Sequence, residues 1–71
     1  MRLEFRTDLR GYELALTQDL FGAFILYRRW FGLTNHRGGL KQQVFEVEAD
    51  ALRTFKRLRR EREKHGYKLI L

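Results

Sequence analysis

The amino-acid sequence predicts an α+β fold, in which a small antiparallel β-sheet carries one α-helix packed across one face. Two observations predict it. Apolar and polar residues alternate through the first two thirds of the chain, which is the period of a half-buried strand. After residue 47 apolar residues recur every three or four positions, which is the period of an amphipathic helix. A chain of 71 residues buries about 60% of its unfolded surface, enough for one core, so we predict a single domain over residues 1–71.

The first two strands are predicted from strict alternation. RLEFR, residues 2–6, alternates apolar with charged residues and predicts a short edge strand. GYELALTQ, residues 11–18, places Tyr12, Leu14 and Leu16 on one face and its more polar residues on the other. One face of this strand is therefore expected to cover the core.

The next two strands complete an antiparallel meander. DLFG, residues 19–22, supplies a turn in which Gly22 is free to take a positive φ. AFILYRRW, residues 23–30, has a longer apolar run, which predicts a central strand covered on both sides for part of its length. After a glycine-rich loop, residues 32–39, alternation resumes in LKQQVFEV, residues 40–47. Three consecutive strands joined by short turns pair as a meander.

The helix is predicted from Glu48 to about His65. Its apolar stripe consists of Ala51, Leu52, Phe55 and Leu58. Acidic Glu48 and Asp50 lie in the first turn and basic residues in the later turns, the arrangement that the helix dipole favours. Gly66 suits the position just after a helix, and residues 67–71 can return as a last short strand.

Charge and composition narrow the classes of partner. The chain has 15 Lys and Arg against 9 Asp and Glu, a net charge of +6. Eight basic and two acidic residues lie between Arg53 and Lys68, so this segment carries six net positive charges and the remainder is neutral. Such a charge favours polyanionic partners. The N-terminal sequence is charged at nearly every other position, which argues against a signal peptide or membrane span. We expect a soluble, cytoplasmic protein that does not bind membranes.

Enzymatic and metal-binding patterns are absent from the sequence. There is no serine or cysteine, and no threonine lies near a base in a recognisable spacing. His36 and His65 are too isolated to form a metal site. Glu46 and Glu48 suit a helix N-terminus better than acid–base catalysis. We predict no enzymatic activity, no metal and no cofactor.

An aromatic residue and several cations are concentrated around Trp30, the only tryptophan. Arg28 and Arg29 precede it, and Arg37 and Lys41 come from the following loop and strand. An aromatic face beside guanidinium groups can stack on a base or sugar and pair with phosphate. A lone tryptophan is more often part of a core, and both interpretations hold if one edge of the indole packs while the other stays open.

Basic residues on the helix form a second candidate surface. Its members recur at spacings of three and four opposite the apolar stripe, and they are Arg53, Lys56, Arg57, Arg60 and Lys64. We consider Arg53, Arg57 and Arg60 an auxiliary nucleic-acid-binding patch. The alternative is a solvated face that aids solubility and that Glu61 and Glu63 partly screen.

The order of several motifs resembles the WGR domain, a small module of poly(ADP-ribose) polymerases and of short bacterial proteins, named after a Trp-Gly-Arg motif. The resemblance extends from about Tyr12 to Lys68. Its landmarks are the LFG turn (Leu20 to Gly22), YRRW ending in Trp30, RGG (Arg37 to Gly39), Phe45, Ala51 and Phe55 in the helix, and KHGY (Lys64 to Tyr67).

This resemblance implies a sheet with one helix and binding to DNA ends or breaks, with Trp30 against the terminal sugar. The Gly and Arg of the motif do not carry over, because Phe31 and Gly32 follow Trp30. Arg37 or Lys41 could replace the motif Arg from across the loop. Catalysis is not implied, since no ADP-ribosyltransferase domain is present, and the chain would act as a stand-alone binder.

Two alternatives remain open at the sequence level. RNA could replace DNA as the ligand, because stacking and phosphate contacts do not read the 2′-hydroxyl. A protein-interaction or self-associating module that has lost nucleic-acid binding could instead use Phe31, Leu33 and Leu40 as an apolar patch.

Overall fold

A computed structural model describes residues 1–35 and 37–71; the loop histidine His36 lies outside the described residues. Within this part of the chain the elements are β1 (Arg2–Arg6), β2 (Arg10–Gln18), β3 (Phe24–Gly32), β4 (Gly38–Phe45), α1 (Glu48–Lys64) and β5 (Lys68–Leu69). The strands form one antiparallel sheet in the order β4-β3-β2-β1-β5. The predicted α+β fold and the meander are confirmed.

The core lies between α1 and one face of the sheet, here called the helix face. Alternation along the strands sends one set of side chains to this face, where Phe5, Tyr12, Leu14, Leu16 and Leu26 are buried. The helix contributes Ala51, Phe55 and Leu58 from its predicted stripe. Each large apolar side chain buried here stabilises the fold by about 1.5–3 kcal/mol.

The C-terminus of α1 is closed by backbone hydrogen bonds that give the chain a sharp turn. The N–H of Gly66 donates to Glu63 O (3.2 Å) and the N–H of Tyr67 donates to Arg62 O (3.0 Å), the pair of bonds of a Schellman motif. Gly66 has φ +84°, as its predicted position requires. The turn brings Tyr67 back beside Arg62 and leads the chain into β5.

Two details of the predicted sheet are wrong. β1 is not an edge strand, because Phe5 and Arg6 pair with Leu69 and Lys68 of β5 on its outer side. β3 is not covered on both sides, because α1 is the only described element that packs on the sheet and it covers the helix face. A short C-terminal strand and a partly buried apolar pair, Ile25 and Tyr27, are too weak as sequence signals to reveal this arrangement.

Candidate nucleic-acid interface

Trp30 packs on one side against a glycine and is open on the other. In the β3–β4 pair Trp30 lies directly opposite Gly39. A Cβ on Gly39 would lie 2.6 Å from Cζ2 and 2.9 Å from Cε2 of the indole, so the missing side chain makes the space that the ring occupies. The tryptophan is nevertheless 42% exposed. It therefore stabilises the hairpin and also presents part of its ring to solvent.

Two cations face each other beside the indole. Arg28 of β3 lies directly opposite Lys41 of β4, on the same face of the sheet as Trp30. Neither forms an ion pair with any residue in the described part of the chain. Like charges directly opposite each other destabilise a sheet. An anion bound between them would remove this repulsion, so the arrangement is suited to a phosphate.

A cavity of about 720 Å³ lies at this end of the sheet, between the loop after β3 and the C-terminal end of α1. Its walls combine aromatic rings and guanidinium groups, among them Tyr12, Trp30, Tyr67, Arg28, Arg37 and Arg62. Arg37 and Arg28, predicted from the sequence as site residues, thus line the same cavity as Trp30. We call it the Trp30 cavity.

Arg62 is a cation of the cavity that sequence reasoning missed, as it also missed Arg10. Its guanidinium carbon lies 4.6 Å from the ring centroid of Tyr12 and 5.3 Å from that of Tyr67, within range of cation–π attraction. The two rings meet edge to face at 6.1 Å. Arg62 follows Leu58 by four residues, so it continues the apolar stripe of the helix toward the sheet. A basic residue in register with the apolar stripe of the helix was the sequence signal that could have identified Arg62 as a cation facing the sheet.

Tyr12 is the buried aromatic residue of the Trp30 cavity nearest to Arg62. Burial raises the pKa of its phenol above the ordinary value, and the charges of Arg28 and Arg62 oppose part of that shift. The phenol is therefore neutral at physiological pH. A neutral hydroxyl beside two guanidinium groups leaves the cavity with positive charge and an aromatic wall, which is what a phosphate joined to a sugar and base requires.

Comparison with known proteins decides the family. The family model of the WGR domain matches residues 7–70, nearly the whole chain. The chain belongs to the WGR domain family. WGR domains are non-catalytic modules that in general bind nucleic acid in poly(ADP-ribose) polymerases. The resemblance predicted from the sequence is confirmed.

One curated relative is an uncharacterized protein, y4dW, of Sinorhizobium fredii (strain NBRC 101917 / NGR234). It is 35% identical to this WGR domain over 63 residues, which are 89% of the chain but 30% of the relative. The chain thus spans less than a third of the length of this curated relative. No solved structure matches the chain.

Among the described residues of the WGR domain, no helix is long and apolar enough to cross a membrane. Over the same residues no group of three or more His, Cys, Asp and Glu could hold a metal ion.

Arg29 and Phe31 lie on the opposite face of this WGR domain, away from α1 and Trp30. The guanidinium carbon of Arg29 lies 4.6 Å from the Phe31 ring centroid, and its Nη2 lies 3.6 Å from Glu13 Oε2. The Phe31 ring covers Gly11 on the neighbouring strand, where a Cβ would collide with it. Phe31, which replaces the Gly of the motif, thus has its ring over Gly11 on the face opposite Trp30, and it is also one of the residues that line the Trp30 cavity. Arg29, predicted as a site residue, is separated from the others.

The apolar patch considered for protein interaction is divided. Leu40 is exposed on the same open face as Phe31, whereas Phe31 and Leu33 are partly buried. The N–H of Leu33 donates to Leu9 O (2.9 Å), which ties the loop to the sheet. Only Leu40 of the three is strongly exposed.

Arg53, Arg57 and Arg60 of α1 are exposed on the side away from the sheet. Arg53 pairs with Asp50 at 3.2 Å and Arg57 with Glu61 at 3.1 Å, whereas Arg60 has no ion pair within the described residues. Exposed pairs of this kind are weak. The Trp30 cavity and the outer side of the helix are two distinct cationic surfaces of this WGR domain.

Proposed function

We propose that residues 1–71 act as one cytoplasmic, non-catalytic domain that binds nucleic-acid ends, with DNA ends or nicks as the first ligand. The observation that carries the proposal is the half-exposed indole of Trp30 beside Arg28 and Lys41, two cations that form no ion pair within the described residues. Trp30 contacts the terminal sugar or base, and the cations contact the nearest phosphates. Arg37 joins them from the loop.

The rigidity of Trp30 favours an end over the interior of a duplex. Inside a duplex each base is stacked on both sides, so a large ring gains access only by separating base pairs, at a cost of a few kcal/mol. Trp30 is held against Gly39 in a paired strand and can meet a free terminal sugar or base without that cost. Stacking of one base on an aromatic side chain contributes about 1–3 kcal/mol.

Lys41 is the candidate to replace the missing Arg of the family motif. It is directly opposite Arg28 and on the same face as Trp30, whereas Arg29 is turned to the other face. Three arginines of α1 serve as an auxiliary patch: Arg53 and Arg57 pair with acidic residues, and Arg60 has no ion pair in the described part of the chain. RNA ends are the alternative ligand, which the same experiment distinguishes.

The test is a titration that follows the fluorescence of the single tryptophan. Blunt DNA duplex, the matching RNA duplex and closed circular DNA are added at several salt concentrations. Contacts to three phosphates by Arg28, Arg37 and Lys41 predict a log-log salt slope of about −2.7, at −0.9 per contact. The expected result is quenching by the linear duplex and weak competition by the circle. Equal binding to circle and linear duplex would refute end recognition.

Two alanine variants separate the role of the indole from that of the hairpin as a whole. Trp30→Ala is expected to weaken binding of a dye-labelled blunt duplex, measured by anisotropy, by about 5- to 150-fold, the equivalent of one stacking contact. Leu40→Ala is the matched control, because it removes an exposed apolar side chain of the same hairpin that lies on the opposite face and does not line the Trp30 cavity. Similar losses in both variants would show that the hairpin, not the indole, is required.

A further inference from the structure

The tip of the β2–β3 hairpin presents two apolar side chains that contact nothing in the described fold. Leu20 is 100% exposed and Phe21 is 96% exposed. We call residues 19–23 the hairpin tip. A turn on the surface is normally built from polar residues and glycine, so folding alone does not account for a leucine and a phenylalanine here.

The hairpin tip is held in one conformation by its own hydrogen bonds. Oδ1 of Asp19 accepts bonds from the N–H groups of Phe21 (2.8 Å) and Ala23 (2.9 Å). The N–H of Asp19 donates to Ala23 O (2.9 Å), and Nε2 of Gln18 donates to Gly22 O (3.3 Å). Gly22 has φ +89°, which glycine adopts without strain. An ordered turn therefore displays the two side chains.

The side chains around the hairpin tip carry negative charge, which the Met1 ammonium beside Leu16 O offsets in part. Asp19 lies within it, and Phe24, just after it, pairs with Phe45 of β4. Glu46 and Glu48 follow Phe45 in the chain and lie at the same end of the sheet. This end repels phosphates, so its partner is apolar with a basic surround rather than a nucleic acid.

The Trp30 cavity has that chemistry. It combines aromatic walls with Arg28, Arg37 and Arg62, and it lies at the other end of the same hairpin. We propose that the hairpin tip of one copy of this chain inserts Leu20 and Phe21 into the Trp30 cavity of a second copy. The acidic groups beside the tip then face the arginines of the cavity.

The geometry makes this contact intermolecular. Nine register pairs, from Arg10 with Gly32 to Gln18 with Phe24, separate cavity from tip, which is about 27 Å at 3.4 Å per step. A copy cannot fill its own cavity, and a head-to-tail contact that does not close into a ring produces open linear oligomers. Two inserted side chains bury far less than the roughly 1,200 Å² of a stable interface, so the oligomers are short and form only at high protein concentration.

The hairpin tip of a second copy would be a second ligand of the Trp30 cavity, and its insertion does not depend on the proposed function. Only one consequence rests on it: nucleic-acid ends and the hairpin tip compete for Trp30. If the chain bound no nucleic acid, the contact between copies would still be measurable by itself.

The test is complementation between two variants in sedimentation velocity at about 0.5 mM protein, without nucleic acid. Phe21→Ser keeps the cavity and removes the larger of the two side chains that the tip inserts. Trp30→Ala keeps the tip and removes the indole that lines the cavity. Wild type is expected to form species that grow with concentration, and each variant alone is expected to remain monomeric. Their mixture makes one contact only, so it is expected to give a heterodimer and nothing larger. Arg37→Glu, at an exposed position, is a second cavity variant should Trp30→Ala unfold.

Fluorescence identifies the contact in the same mixture. Phe21→Ser carries the only tryptophan when mixed with Trp30→Ala, so a change in its emission reports entry of the tip into the cavity. Val44→Ser, at an exposed apolar position of the open sheet face, is the matched control and is expected to associate like wild type. Monomeric wild type, or association lost in Val44→Ser and kept in Phe21→Ser, would overturn the proposal. Adding blunt duplex to wild type is expected to dissociate the oligomers. If the duplex does not bind, the proposed function fails while the complementation result stands.

Discussion

Arg28 and Arg29 are consecutive in the chain yet lie on opposite faces of the sheet, and we expect their substitution by glutamine to affect different properties of the protein. Arg28 lies beside Trp30, opposite Lys41, without an ion pair among the described residues. Arg29 stacks on Phe31 and pairs with Glu13. Arg28→Gln is therefore expected to weaken binding of nucleic-acid ends, and Arg29→Gln to destabilise the fold.

The expected magnitudes follow from the contacts that each arginine makes. One lost phosphate contact changes the salt slope by about 0.9, which corresponds to about an 8-fold loss of affinity at 0.1 M salt relative to 1 M. Arg28→Gln also removes the repulsion with Lys41, so its stability should not fall. Arg29→Gln loses an exposed cation–π contact of about 0.5–1 kcal/mol and an ion pair of at most about 1 kcal/mol. In a domain of this size each kcal/mol lowers the Tm by about 4–8 °C.

The assay measures both quantities on both variants, namely duplex anisotropy over a salt series and the thermal unfolding midpoint. Arg28→Gln is expected to change the salt slope and leave the unfolding midpoint unchanged. Arg29→Gln is expected to lower the unfolding midpoint and leave the salt slope unchanged. An equal loss of slope in both variants would mean that nucleic acid contacts both faces. It would refute the assignment of the interface to the face that carries Trp30.

Three further outcomes are expected. Gly66→Ala should lower the free energy of unfolding in urea by about 1–2 kcal/mol, because φ is +84° and a Cβ there meets nothing within 4 Å, so the cost is that of the backbone alone. The hydrogen bond from Arg2 and its charge hold the pKa of Glu13 below 4.5, so this pair stabilises the fold above pH 4.5, and its contribution is lost as pH falls through the lower folded pKa. Glu13→Gln should therefore flatten the decline of the urea midpoint over that acid range. An unchanged decline would show that the Arg2–Glu13 pair does not cause it. Gly39→Ala should displace the indole, giving a red-shifted emission and a loss of end binding similar to that of Trp30→Ala; a normal spectrum with normal affinity would show that the ring does not need that space.

Local periodicity predicted most of the fold because each strand and the helix has one clearly apolar side. Alternation in GYELALTQ and the stripe that includes Phe55 and Leu58 specify which side is buried, whatever the neighbours are. The position of β1 was not predictable in this way. Its outer neighbour is a strand of two residues, Lys68–Leu69, too short to have a period, and their pairing depends on where the Schellman turn directs the chain.

The sequence alone determined the family of the chain, its α+β class and the concentration of cations around a single tryptophan, because these depend on residue type and local spacing. Only the tertiary structure decided which cations share a surface with Trp30. Strand pairing placed Arg28 opposite Lys41 and turned Arg29 to the other face, and packing of the helix brought Arg62 between Tyr12 and Tyr67. Arg28 and Lys41 are 13 positions apart in the chain, and Arg62 and Tyr12 are 50 positions apart. Such contacts are set by the order of the strands and the path of the helix, which no local pattern contains.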